Sequence, residues 1–180
     1  MAAYKTNAII LKRVDIFEAD RLYHMYTENF GKVRTIAGGA RKINAKLAGH
    51  LEPFNFVWAE LITKKNGDLF ITTALSYGKL LNQNAPPAQV ALFSKMADFI
   101  LRMLKGPQKD NDLWDFILES FLKARDVETG LSAPAGALAG GQAGGPDKFL
   151  SEFKNGFINL LGFGDDFNEA RYYLEEFGVV

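Results

Sequence analysis

The sequence predicts an α+β chain, a five-stranded β-barrel followed by a small α-helical bundle. Three observations predict it. The first 80 residues are made of short β-branched and aromatic runs punctuated by turn dipeptides, almost without helical period. Beyond Pro86-Pro87 the apolar spacing changes to three and four. Charge divides along the same line: residues 1–80 hold 12 Lys and Arg against 7 Asp and Glu, residues 81–180 hold 9 against 14, and the chain as a whole is neutral. Opposite signs on the two halves imply surfaces with different tasks. The expected domains are therefore 1–80 and 81–180.

The strands follow in order. Asn7–Val14 is an apolar, β-branched run; DIFEAD turns the chain, and RLYHMYT from Arg21 to Thr27 reads as a second strand. Phe30-Gly31 turns it again. In KVRTIA, residues Lys32, Arg34 and Ile36 share one face and Val33, Thr35 and Ala37 the other, so the outer face of this third strand is largely basic. A connection from Gly38 to His50 follows, with room for a helical turn at Ala45–Ala48. FNFVWAELITK, from Phe54 to Lys64, is a long strand, Asn66-Gly67 a strong hairpin signal, and Asp68–Tyr77 the fifth strand. Five short strands in about 75 residues fit a small closed barrel of the OB type.

In the second half, Val90, Phe93, Ala97, Ile100 and Leu104 mark one helix face, ended by Gly106-Pro107. A second helix carries Leu113, Phe116, Ile117, Ser120, Phe121 and Ala124 on one stripe, with Asp110 or Asn111 as its N-cap. Residues 129–147 are rich in Gly, Ala, Ser and Pro and read as a flexible linker, spanning roughly 25 Å root-mean-square as random coil. A third stripe runs through Phe149, Phe153, Phe157, Leu160 and Leu161, and DDFNEARYYLEEF predicts a last amphipathic helix. About four helices are expected.

Composition excludes several classes. The absence of Cys removes disulfides and thiolate metal sites, and two unrelated His offer no zinc-ligand spacing. No phosphate-loop or dinucleotide fingerprint is present, and Asp165-Asp166 and Glu175-Glu176 read as helix cap and solvated face. No enzyme, metal or cofactor is expected. The N-terminal apolar run is too short for a signal peptide and no 18-residue apolar window occurs, so the expectation is a soluble cytoplasmic protein without a membrane partner.

One stretch stands out. Between Glu28 and Glu52 there is no acid, whereas Lys32, Arg34, Arg41, Lys42 and Lys46 are spaced among Gly31, Gly38, Gly39 and Gly49. Positive charge on such a backbone suggests phosphate binding; the competing reading is a solvated, Gly-rich hairpin region. Phe54, Phe56 and Trp58 would put three rings on one strand face, read as barrel core in preference to base stacking. Tyr23 and Tyr26 fall on opposite faces, so at most one can line a groove with Arg34. His24 and His50 read as packed or surface residues.

From Ala8 to Phe54 the landmarks resemble the N-terminal OB domain of the RecO family of bacterial recombination mediators. They are the apolar strand; Glu18, Asp20 and Arg21; Thr27, Gly31 and Lys32; Gly39, Ala40 and Arg41; then Lys46, Leu47, Gly49, Leu51, Pro53 and Phe54, all in register. NDLWDFILESFL and FINLLGF agree more loosely in the helical half. The chain departs in having Ala45 and Ala48 where relatives often carry Ser and a basic residue, and it lacks the four Cys of zinc-binding relatives.

The resemblance implies binding of single- and double-stranded DNA, annealing of complementary strands, and assistance to RecA loading. The implied partners are RecR and the tail of single-stranded-DNA-binding protein, with nucleoid association during repair. The phosphate-contact candidates are Lys12, Arg13, Arg21, Lys32, Arg34, Arg41, Lys42 and Lys46. Of these, Lys12 and Arg13 must face opposite sides of their strand, and Arg21, beside Asp20 and Glu18, reads better as a structural ion pair. Arg102, Lys105 and Lys109 form the candidate rim for an acidic peptide tail. Two other readings stay open: a protein-interaction adaptor whose barrel has little DNA affinity, and RNA in place of DNA.

Overall fold

The computed structural model describes residues 2–127 and 145–163. They form two compact units. The barrel unit comprises Met1–Leu80 with Leu104–Trp114; the helical unit takes Leu81–Met103 and the described residues from Asp115 onward.

Five strands build the barrel: β1 Ala3–Ile16, β2 Asp20–Thr27, β3 Gly31–Ala37, β4 Asn55–Thr63 and β5 Leu69–Lys79. They close in the order β1-β2-β3-β5-β4. All neighbours are antiparallel except β3 and β5, which meet in parallel at Ile36 and Phe70. β1 is longer than its apolar run because it serves two neighbours in succession, β4 along Ala3–Ile9 and β2 along Ala8–Ile16. A bulge between Ile10 and Lys12 lets it bend from one to the other. The β3–β4 connection is a series of turns, and at Ala45–Ala48 there is a single one, the Ala48 N–H donating to the Ala45 carbonyl at 3.2 Å.

Alternation decides what enters the barrel. Ala8, Ile10, Tyr23, Met25, Val33, Val57, Ala59, Leu61, Ile71 and Ala74 are all buried in one core. The expectation that Phe54, Phe56 and Trp58 form one core row is corrected for Phe56 and Trp58, whereas Phe54 is buried, though from outside the strand. Phe54 precedes β4, with φ of 64° and its amide bonded to the Ile10 carbonyl at 2.7 Å. Phe56 and Trp58 alternate with the buried Val57 and Ala59 and so face outward. A five-stranded barrel has a narrow interior, which aliphatic and small side chains fill around the single ring of Tyr23 and a further row of rings would overfill.

A second piece of chain lies on the barrel's outer surface. Trp114 stacks on Tyr26, with ring centroids 6.1 Å apart, and meets Phe56 at 6.2 Å. Gly31, with φ of 65°, has the Gln108 backbone so close that a Cβ would lie 2.1 Å from its carbonyl oxygen. Only glycine satisfies both the backbone angle and the approach.

The helical unit contains α1 Pro87–Met103 and α3 Pro146–Leu160, and α2 Asn111–Ala124 runs into it from the barrel unit. Asp110 caps α2, its carboxylate accepting the Leu113 amide at 2.9 Å. The buried stripe of α1 is Leu92, Phe93, Met96, Ala97, Phe99 and Ile100, so Val90 stays exposed and Leu104 lies past the helix end. Phe93 packs on Phe121, Phe99 on Phe153 and Phe157, and Phe116 stacks on Phe153. Gly156 lets α3 approach α2: a Cβ there would meet the Phe116 ring at 2.8 Å. Of the linker interval 129–147, only its last residues are described, and there Pro146 and Asp147 already open α3. The last predicted helix and its paired carboxylates lie outside the described residues.

Candidate nucleic-acid interface

The outer face of β1, β2 and β3 gathers the strand-borne cations. Tyr23 and Met25 point into the core, so Leu22, His24 and Tyr26 face out; Val33, Thr35 and Ala37 are buried, so Lys32, Arg34 and Ile36 face out. Register then lines residues up across strands. Lys12 of β1 lies opposite His24 of β2, and His24 lies opposite Arg34 of β3. One rung further, Tyr26 faces Lys32. This places Lys12, His24 and Arg34 side by side across three strands; the one acid of outward parity on β2 or β3 is Asp20 at the start of β2, whose carboxylate accepts the Gly39 amide.

Lys12 and Arg34 are exposed, and Arg34 makes no ion pair among the described residues. Lys32 is half-buried, and its ammonium donates to the Leu104 carbonyl just beyond α1. Burial, then the neighbouring Arg34, lowers its pKa. The pKa of His24 is also lowered, first by burial and then by Arg34, Lys12 and Lys32. The β3–β4 connection adds Lys42 and Lys46, both exposed and without an ion pair among the described residues.

The remaining candidates are held by acids. Arg13 Nη1 reaches both Glu52 carboxylate oxygens at 2.6 Å, tying β1 to the β3–β4 connection. Arg21 Nε donates to Asp15 at 3.0 Å, the ion pair its sequence neighbourhood suggests, although the partner is Asp15 rather than Asp20 or Glu18. Arg41 reaches the same Asp15 at 3.5 Å and donates to the Phe17 carbonyl at 2.9 Å. Asp20 instead accepts the Gly39 amide at 2.7 Å, and the Arg41 amide donates to the Ala19 carbonyl at 2.9 Å. The Glu-x-Asp-Arg turn and the Gly-Ala-Arg run, 20 residues apart in the chain, are therefore one laced corner of the barrel.

Neither tyrosine lines a groove. Tyr23 is in the core and Tyr26 lies under Trp114. His50 is structural, its Nδ1 accepting the Ser76 amide at 3.2 Å. His24, read from the sequence as packed or surface, lies within the cationic row, a placement only strand register could reveal. On β4 and β5, Phe56, Tyr77 and Leu75 leave an apolar surface, with Leu75 at 54% and Tyr77 at 62% exposure.

Of the predicted peptide rim, Arg102 is on the last turn of α1 in the helical unit, whereas Lys105 and Lys109 belong to the 104–114 piece of the barrel unit. Arg102 borders an open pocket of about 320 Å³ with Lys95, Asp98, Phe99, Leu150 and Lys154. Among the described residues, no helix is long and apolar enough to cross a membrane.

Residues 1–76 match the family model described as Recombination protein O N terminal, the interval that contains β1–β4, most of β5 and the cationic row. Over that interval the chain is similar to the N-terminal domain of the RecO family. It is similar to the DNA repair protein RecO of Clostridium kluyveri, 28% identical over 137 residues covering 72% of this chain and 51% of that protein. With RecO of Anaeromyxobacter dehalogenans it shares 28% identity over 131 residues, 71% of this chain and 50% of the relative. A shorter match, to RecO of Roseiflexus, is 44% identical over 63 residues, 35% of this chain and 22% of that protein. The chain thus spans about half the length, or less, of these curated relatives.

Proposed function

We propose that this chain is a DNA-repair mediator of the RecO family that binds single- and double-stranded DNA through the outer face of β1–β3 and promotes annealing of complementary strands. The observation that carries this reading is the row Lys12, His24, Arg34 on adjacent strands, with no acid among the outward residues from Leu22 to Tyr26 of β2 or on β3, and with Lys42 and Lys46 exposed in the β3–β4 connection. Ammonium and guanidinium groups that displace counterions bind phosphates without regard to sequence. Such a face holds two backbones close and screens their repulsion, while base pairing supplies specificity. Assistance to RecA loading, with RecR and single-stranded-DNA-binding protein as partners, follows from the family.

The acidic tail of the latter is assigned to the pocket at Arg102, where Lys154 and Lys95, itself paired with Asp147 at 3.7 Å, add positive charge beside Asp98, and Phe99 and Leu150 add apolar surface. Charge reversal at Lys95, Arg102 and Lys154 then abolishes tail-peptide binding, and unchanged binding removes this placement.

The test of DNA binding is fluorescence anisotropy of a labelled single strand over a range of salt concentrations. Wild type is compared with a variant in which Lys12, Arg34, Lys42 and Lys46 are Ala. A steep negative salt slope in wild type, flattened in the variant by roughly 0.7 per lost contact, identifies the site. A second reading is supported by the acids that hold Arg13, Arg21 and Arg41: an adaptor barrel with little DNA affinity. No binding at low salt selects it. Matched DNA and RNA oligomers in competition decide between the nucleic acids.

A further inference from the structure

His24 occupies a position unlike any other in the barrel. It is the middle member of a three-strand row, with Lys12 opposite on one side and Arg34 opposite on the other. Lys32 is the next outward residue of β3 after Arg34. Leu22 and Tyr26, the outward neighbours on its own strand, carry no charge at neutral pH. From the 104–114 piece, the Leu104 carbonyl holds Lys32 and Asp110 acts on Tyr26. The charges that act on His24 are Arg34, Lys12 and Lys32, all positive.

We propose that Lys12, His24 and Arg34 form a proton-linked phosphate seat: a nucleic-acid phosphate held between the two cations brings a solvent proton onto the His24 imidazole. The inference rests on the phosphate-binding reading of this face and deepens it. A phosphodiester is a permanent anion near neutral pH, so the proton has nowhere to go but the imidazole. In the empty seat, the half-burial of the ring and the charges of Arg34, Lys12 and the neighbouring Lys32 all oppose a further positive charge. A phosphate reverses that balance, because an opposite charge within a few ångströms favours the charged form. The neutral imidazole has one donor nitrogen and the imidazolium two, so protonation also adds a hydrogen-bond donor facing the phosphate. The seat therefore tightens in acid and loosens in base, over the range where histidine titrates.

The sign is fixed by linkage. Binding takes up a proton between the titration midpoint of the free protein and the higher midpoint of the complex. Affinity accordingly rises as pH falls through that window and levels off below it. One fully linked proton corresponds to about tenfold in affinity per pH unit.

The experiment measures anisotropy of a labelled single strand between pH 6 and 8 at constant ionic strength, for wild type and His24→Gln. Proton NMR follows the two His of the wild-type chain with and without the strand. The expected result is a several-fold rise in wild-type affinity over the range, absent from His24→Gln, which keeps its salt slope to within one contact. The His24 titration midpoint rises when the strand is added. Salt-dependent binding with no pH dependence, an equal pH slope in His24→Gln, or an unmoved His24 midpoint overturns the linked seat and leaves DNA binding standing. If His24→Gln fails to fold, the wild-type midpoint decides. Absence of binding at low salt, at every pH, overturns both.

Discussion

Two sets of cations on the same barrel are employed differently. Arg34 on the outer face of β3, and Lys42 and Lys46 in the β3–β4 connection, meet no acid among the described residues. At the barrel's laced corner, Arg21 and Arg41 share Asp15, and Arg13 is held by Glu52. All six residues are equivalent by charge and by proximity in the chain, yet one set is available to a ligand while the other fastens loops to strands. Counting basic residues measures their sum; only the partners separate them.

Breaking the first set together with Lys12, the row's member on β1, should produce the largest effect. With Lys12, Arg34, Lys42 and Lys46 all changed to Ala, DNA affinity at 0.1 M salt is expected to fall several-hundredfold, on the order of fivefold per contact. Arg13, Arg21 and Arg41 changed to Ala should cost far less affinity and show their effect in stability. Equal losses of affinity in the two variants would erase the distinction.

Lys32 belongs to neither set: its ammonium donates to the Leu104 carbonyl. Gly31→Ala should dislodge the Gln108 backbone beside it, because the new Cβ would meet a carbonyl oxygen at a backbone angle that L side chains rarely adopt. A loss of about 2–3 kcal/mol is expected in denaturant unfolding. Little change would mean that the 104–110 piece does not need its seat on β3.

Arg13→Ala sharpens the comparison from the other side. The Arg13–Glu52 pair is partly exposed, so its removal should cost about 0.5–1 kcal/mol by denaturant titration while leaving the salt slope of binding nearly intact. A slope reduced by a full contact would move Arg13 into the first set.

The smallest effect is on acid stability. The folded-state pKa of His24 lies below its ordinary 6.5, so the unfolded chain binds a proton more readily. His24 therefore makes its full contribution above pH 6.5 and loses it as pH falls through the folded value. Unfolding of wild type should become easier on acidification toward pH 5 by more than that of His24→Gln. Identical pH slopes would show that the cationic row does not act on this ring.

Local pattern alone determined much of this protein. Turn dipeptides and period-2 runs placed all five strands, Asn66-Gly67 marked its hairpin, and alternation in KVRTIA put Lys32 and Arg34 on the outer face, because each of these depends on near neighbours in the chain. Tertiary structure decided the rest. Phe56 and Trp58 alternate as a buried row would, yet closing five strands leaves an interior that accepts Val57 and Ala59 instead. Arg13 and Glu52 are 39 residues apart, and Lys12, His24 and Arg34 come from three strands. Such meetings are set by which strands pair and in what register, a choice governed by burial of the whole core and not by the residues beside each charge.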